Sequence, residues 1–211
     1  MMRTDFEISS FLKDFDCNCS KVQKRYFSKD EVITTYIEKR NQMCILISGT
    51  ANLIRYDYNG NKTIIGQFTK YDIFGEVLYP TNTNNELFVE AKENCEVLSF
   101  IYDNIAKKCN SRCKFHEDLE HKLPILIINN TIKLNERIEL LTKKSIRDKL
   151  LTYFNIISSK RFSKTFTIPF TLTDLADYLC VDRSAMMREI SHLKEEGFIQ
   201  KKGNKITLLI S

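Results

Sequence analysis

The sequence predicts an α+β chain, with an antiparallel, jelly-roll-like β-roll followed by a long helix and a winged helix-turn-helix. Three observations lead there. Between residues 22 and 101, short β-rich runs alternate with turn residues. From Glu117 the apolar period changes to the fours and threes of a helical seam. Over residues 170–199, two short amphipathic helices flank a tight turn, and a hairpin follows.

In chain order, residues 5–16 read as a short amphipathic helix with Phe6, Phe11, Leu12 and Phe15 on its apolar side. Strands are expected at 32–37, 43–47, 51–56, 62–68, 86–91 and 96–101. Ser48-Gly49, Asn59-Gly60-Asn61 and Lys70-Tyr71-Asp72 mark turns between them. Asn-Gly between β-rich runs signals a hairpin, because both residues tolerate positive φ. Regular short strands of this kind suggest an antiparallel roll or barrel.

The helical stretch places Leu123, Ile127, Asn130, Leu134, Arg137 and Leu141 at heptad spacing, the pattern of a seam between two helices. Asn130 would set register between two chains. Pro124 is expected in an early turn, where a missing N–H is tolerated. The competing packing would bury Leu126, Ile128, Ile132 and Ile138 against the chain's own β-roll. Lys143-Lys144-Ser145 reads as a hinge. The expected divisions are therefore 1–116 for the β-roll, 117–142 for the long helix and 143–211 for the winged helix-turn-helix.

Beyond the hinge, residues 147–158 form a helix with Leu150, Leu151, Phe154 and Ile157 on one face, and 166–170 a short strand. Leu172, Leu175, Ala176 and Leu179 give the next helix its apolar face. Cys180-Val181-Asp182 is the turn, and the Asp182 carboxylate can cap the free N–H groups that follow. Met186, Ile190 and Leu193 form the buried stripe of the second helix. Arg183, Ser184, Met187 and Arg188 lie opposite. Gly197 ends that helix. A hairpin around Gly203-Asn204 then leaves Lys201, Lys202 and Lys205 able to meet phosphates.

Charge supports this division. From Lys143 onward there are 13 Lys+Arg and 7 Asp+Glu, while the preceding residues hold 19 and 20. The excess positive charge thus sits with the helix-turn-helix, where phosphate attraction would use it. No apolar run reaches the ~18 residues of a membrane span, and the charged N-terminus is unlike a signal peptide. The seven cysteines, an odd number, suit a reducing compartment, so a cytoplasmic location is expected.

The run L-A-D-Y-L-C-V-D-R-S-A-M-M-R-E-I-S-H-L-K-E-E-G-F-I resembles the DNA-binding end of the Crp/Fnr superfamily, in versions seen in clostridia-like bacteria. The segments I-L-I-S-G-T-A, Y-D-I-F-G-E-V and V-E-A-K-E-N-C-E-V-L-S-F-I resemble that superfamily's cyclic-nucleotide-binding β-roll. The resemblance implies a homodimeric transcription regulator with a sensor β-roll. Its implied partners are double-stranded DNA, RNA polymerase and a small-molecule effector, with no membrane. Arg188 matches the family's guanine-reading arginine, and Arg183 a second arginine at the helix start. Thr171 and Thr173 match first-helix phosphate contacts. Ser184 stands where the family usually has Glu, and Met187 where it has Gly or Ser, so the bases beside the guanine should differ.

Gly75 and Glu76 match the Gly-Glu pair of the family's phosphate cassette. Cyclic AMP binders follow with an Arg-Ser or Arg-Thr pair, whose arginine neutralises the cyclic phosphate. Asn85 and Glu86 stand there instead, and a glutamate would repel a phosphate. The expected effector is therefore not cyclic AMP or cyclic GMP, and the sequence names no cofactor.

Cys109, Cys113 and His116 are spaced i, i+4, i+7, one side of a helix if the helix is continuous, and could hold a metal or sense oxidation together with Cys17 and Cys19. An iron–sulfur cluster of the oxygen-sensing relatives is not expected, since Leu98 occupies the position of the last ligand. The sequence has no P-loop, G-x-S-x-G or H-E-x-x-H, so no enzyme is expected. Two alternatives stand beside the regulator. One is a ligand-binding β-roll protein whose C-terminal domain mediates protein interaction, and the other is a redox- or metal-sensing regulator.

Overall fold

The computed structural model describes residues 22–36, 41–78, 87–103 and 114–209. Met1–Thr131 and Ile132–Ser211 form two compact units, each with its own core.

The first unit is an antiparallel β-roll of two four-stranded sheets. One runs β1 (Gln23–Phe27), β8 (Cys95–Ile101), β3 (Gln42–Ser48), β6 (Ile73–Gly75). The other runs β2 (Val32–Thr35), β7 (Leu87–Ala91), β4 (Ala51–Tyr56), β5 (Lys62–Phe68). Cys44, Leu46, Leu53, Phe68, Phe74, Val89 and Val97 meet between the sheets, where the Phe68 and Phe74 rings stack at 4.8 Å. The alternate residues Met43 and Ile45 face the other way, with Ile73, Leu98 and Phe100, onto Leu126 of α1 (Lys114–Thr142). Strand β3 is therefore buried on both faces, which is why it reads as an unbroken apolar run.

Strands β4 and β5 match the expected bounds, and β2, β3, β7 and β8 differ by one or two residues at an end. The sequence pattern specifies neither β1 nor β6. β1 is an edge strand, and its Gln-Lys-Arg-Tyr residues are exposed, so it shows no apolar alternation. β6 has only three residues. At the β4–β5 turn the Asp57 carboxylate accepts the N–H groups of Asn59 at 2.8 Å and Asn61 at 2.9 Å, reinforcing the Asn-Gly signal. The helix expected at 5–16 lies outside the described residues.

Helix α1 begins at Lys114, ahead of Glu117, so Pro124 lies inside the helix and not in its early turn. Along α1, Leu126 and Leu140 are buried, each in the core of its own unit. Ile127, Ile128, Ile132, Leu134 and Ile138 are exposed. Of the alternative inward set, then, only Leu126 is buried.

The second unit continues through α2 (Ile146–Arg161), β9 (Thr165–Thr167), α3 (Leu172–Leu179), α4 (Arg183–Glu195), β10 (Ile199–Lys202) and β11 (Lys205–Leu208). Ser145, in the expected hinge, caps α2 by accepting the Asp148 N–H at 3.0 Å, so it has a structural task there. β10, β11 and β9 form a three-stranded antiparallel sheet. Leu150, Phe154, Phe166, Leu175, Leu179, Met186, Ile190 and Leu193 close the core.

Candidate nucleic-acid interface

Helix α4 is fixed from one side and open on the other. Met186, Ile190 and Leu193 recur at helical spacing and are essentially fully buried. Asp182 is extended at φ −63° and ψ 131°, and its carboxylate accepts the Ala185 N–H at 2.7 Å. At the far end the helix stops at Glu195, and Gly197 follows at φ +78°. Arg183, Ser184 and Arg188 are exposed on the face away from the core. Among the described residues neither arginine is in an ion pair, so both carry their charge outward. Met187 is half-buried against the core, at the margin of this face.

Helix α3 enters with Thr171 as N-cap, its hydroxyl oxygen accepting the Asp174 N–H at 3.1 Å. The hydroxyl proton stays available to a phosphate, and Thr173 is exposed. Lys202 pairs in register with Lys205 at the tip of the β10–β11 hairpin, both exposed, and Lys201 is half-buried. This arrangement supplies two guanidinium forks on a narrow helix face with ammonium groups on a separate wing. Forks suit paired acceptors on a guanine edge, and ammonium groups suit phosphates.

One fixing residue had no sequence signal. Arg147, at the start of α2, donates to Glu196 through Nη1 at 2.9 Å and through Nη2, and lies 3.5 Å from the Glu189 carboxylate. Its guanidinium also sits 4.7 Å from the Phe198 ring centroid. These bonds hold the Glu196 carboxyl below its ordinary pKa. They also offset the negative charge of two acidic groups, Glu189 on α4 and Glu196 just after it. His192 lies 4.0 Å from Glu189 and is exposed.

Residues 24–112 match the family model described as a cyclic nucleotide-binding domain, and residues 148–209 match the Crp-like helix-turn-helix domain. The chain belongs to the Crp/Fnr superfamily. A solved structure of CprK complexed with OCPA is 18% identical, with a TM-score of 0.69, covering 97% of this chain and 91% of that one. The c-di-GMP-responsive global regulator CLP of Xanthomonas campestris is 14% identical, with a TM-score of 0.70 and coverage of 96% and 100%. A CRP-family transcriptional regulator of Thermus thermophilus is 16% identical, with a TM-score of 0.63 and coverage of 88% and 92%. No curated protein matches the chain. The shared fold is that of a Crp/Fnr-type DNA-binding regulator with a sensor domain.

In the β-roll of this Crp/Fnr member, Gly75 ends β6 at φ +136° and Glu76 follows, 5% exposed. Glu76 lines a cavity of about 220 Å³ with Arg25, Ile33, Thr34, Thr35 and Gln42. Asn85 and Glu86 lie outside the described residues. So do Cys109 and Cys113, and the side chain of His116 is likewise not described. Among the described residues no group of three His, Cys, Asp or Glu could hold a metal ion. Cys44 is buried, and burial pushes its thiol up to about 12. Cys95 is buried beside the Thr50 carbonyl, and Cys180 is exposed in the helix-turn-helix turn. No helix among the described residues is long and apolar enough to cross a membrane.

Proposed function

We propose that this protein is a homodimeric, sequence-specific transcription regulator. It reads a two-fold symmetric site through Arg188 and Arg183, with Thr171, Thr173, Lys201 and Lys202 on the phosphates. The observation that carries this reading is helix α4, which is buried along Met186–Ile190–Leu193 and exposed along Arg183, Ser184 and Arg188. Base contacts specify while phosphate contacts position, and this unit has side chains suited to both. Ser184 and Met187 adjoin Arg188, so the guanine it reads is flanked by base pairs recognised by a hydroxyl and an apolar group.

The second copy meets this chain along α1. Leu134 is 55% exposed and Ile138 60% exposed, and Ile127, Ile128 and Ile132 are exposed earlier on the same helix. Five aliphatic side chains left in water on one helix favour association. The family's dimers support this reading. Leu123 is half-buried on its own β-roll, so Leu134, which is exposed, contributes more of the seam than Leu123 does. The effector is a small molecule other than cyclic AMP or cyclic GMP, because Asn85-Glu86 lacks the phosphate-neutralising arginine. RNA polymerase is the further macromolecular partner of such a regulator.

The test is selection of duplexes from a random pool by the purified protein, in air and without oxygen. A symmetric enriched site supports the proposal. If a protein-interaction role is correct, Arg183→Ala with Arg188→Ala leaves every nucleic-acid measurement unchanged. Enrichment only without oxygen assigns regulation to the cysteines.

A further inference from the structure

We propose that Arg137 of α1 is a positioning residue for DNA reading, because it holds the turn that presents the recognition helix. This rests on the DNA-reading role proposed above. Arg137 Nη1 donates to the Tyr178 carbonyl at 2.8 Å, and its guanidinium lies 4.0 Å from the Tyr178 ring centroid. Lys149 Nζ donates to the next carbonyl, Leu179, at 3.0 Å. These are the last two residues of α3, where a helix leaves carbonyls without intrahelical donors. Two cations there complete the hydrogen bonds and oppose the negative end of the helix dipole.

The turn needs such support. Cys180 follows at φ +52°, a left-handed conformation uncommon for a residue with a Cβ. Its N–H reaches the Asp177 carbonyl at 3.2 Å, and the Val181 N–H reaches Ala176 at 3.1 Å. Asp182 caps α4 immediately afterwards. The bearing of Arg183 and Arg188 therefore depends on three residues whose preceding carbonyls are held from α1 and α2. Arginine suits the task better than lysine, since a planar guanidinium can donate at its edge while its face lies on an aromatic ring. The last turns of α1 are anchored beside it, with Leu140 in the core and Glu136 paired with Lys160. Leu134 and Ile138, on either side of Arg137 in sequence, are exposed on the surface proposed to meet the second copy. Arg137 thus links that surface to the reading head.

The experiment compares the full-length wild type with Arg137→Ala, Arg137→Lys and Tyr178→Phe. Each is titrated with the duplex enriched by selection and with a scrambled duplex at the same salt. Amide exchange at Cys180 and Val181 is followed in parallel. Arg137→Ala is expected to bind the selected duplex about tenfold more weakly, to bind the scrambled duplex within about twofold of wild type, and to exchange faster at both amides. Arg137→Lys restores charge but only part of the specific affinity. Tyr178→Phe retains the ring face and the carbonyl and behaves as wild type. Equal loss on both duplexes, or no loss on either, overturns the proposal. If the wild type selects no duplex, the DNA-reading role fails instead. Unchanged exchange at Cys180 and Val181 in Arg137→Ala then overturns the clamp by itself.

Discussion

Gly75 offers a prediction whose size follows from the geometry. It pairs with Met43 at the end of β6, at φ +136°. A Cβ added there would stand 2.3 Å from the Gln42 carbonyl oxygen and 3.0 Å from the Met43 Cα. Both are backbone atoms of β3, which β8 and β6 flank and which is buried on both faces, so they cannot swing aside. The backbone conformation alone costs a side-chain-bearing residue about 1–3 kcal/mol. Displacing β3 or unpairing β6 raises the total for Gly75→Ala to about 3–5 kcal/mol, the upper end for single changes. Gly60 is the control. It also has positive φ, at +80°, but an added Cβ would meet nothing within 4 Å. Gly60→Ala should therefore cost only the conformational part, about 1–2 kcal/mol. Urea unfolding of both full-length variants, followed by far-ultraviolet circular dichroism and tyrosine fluorescence, measures the difference. Equal midpoints for the two variants would refute the claim that β3 blocks the site. Gly75 also delivers Glu76 to the wall of the β-roll cavity.

Arg188→Ala should cost about 1–3 kcal/mol on the selected site and relax preference at one base pair per half-site. Lys202→Ala should instead weaken all duplexes alike and flatten the salt dependence, which binding isotherms at several salt concentrations separate. Leu134→Asp puts a charge into the exposed apolar surface of α1 and should shift the protein to a monomer in sedimentation velocity, with far-ultraviolet dichroism unchanged. In native protein, iodoacetamide should label Cys180 while sparing Cys44 and Cys95, as mass spectrometry of peptides will show, because burial keeps Cys44 a thiol to about pH 12. Arg147 lowers the Glu196 pKa. Its contribution to folding is therefore fully present above the ordinary glutamate value of about 4.3 and fades as pH falls through that value toward the lowered one. Glu196→Gln should remove that part of the acid dependence of melting temperature.

Periodicity and turn chemistry were sufficient to read six of the eight β-roll strands and the helix-turn-helix from the sequence. Met43 to Ile47, the Asn59-Gly60 turn and the Met186–Ile190–Leu193 stripe are local patterns, and local patterns survive without knowledge of neighbours. The helix-turn-helix was legible for the same reason, since its cap, turn and buried stripe fall within about 30 residues. Strands β1 and β6 were not, because an exposed edge strand and a three-residue strand owe their conformation to pairing partners far along the chain. The parts that join elements were equally silent. Arg147 reaches Glu196, Arg137 reaches Tyr178 and Lys149 reaches Leu179, across 49, 41 and 30 positions respectively. A charged residue on an amphipathic helix carries no sign of which partner it will meet. Arg137 makes the point most clearly, for its spacing places it in a seam between chains while packing turns it onto the carbonyl and ring of Tyr178. Spacing along one helix specifies a face, and only the packed neighbours decide what that face touches.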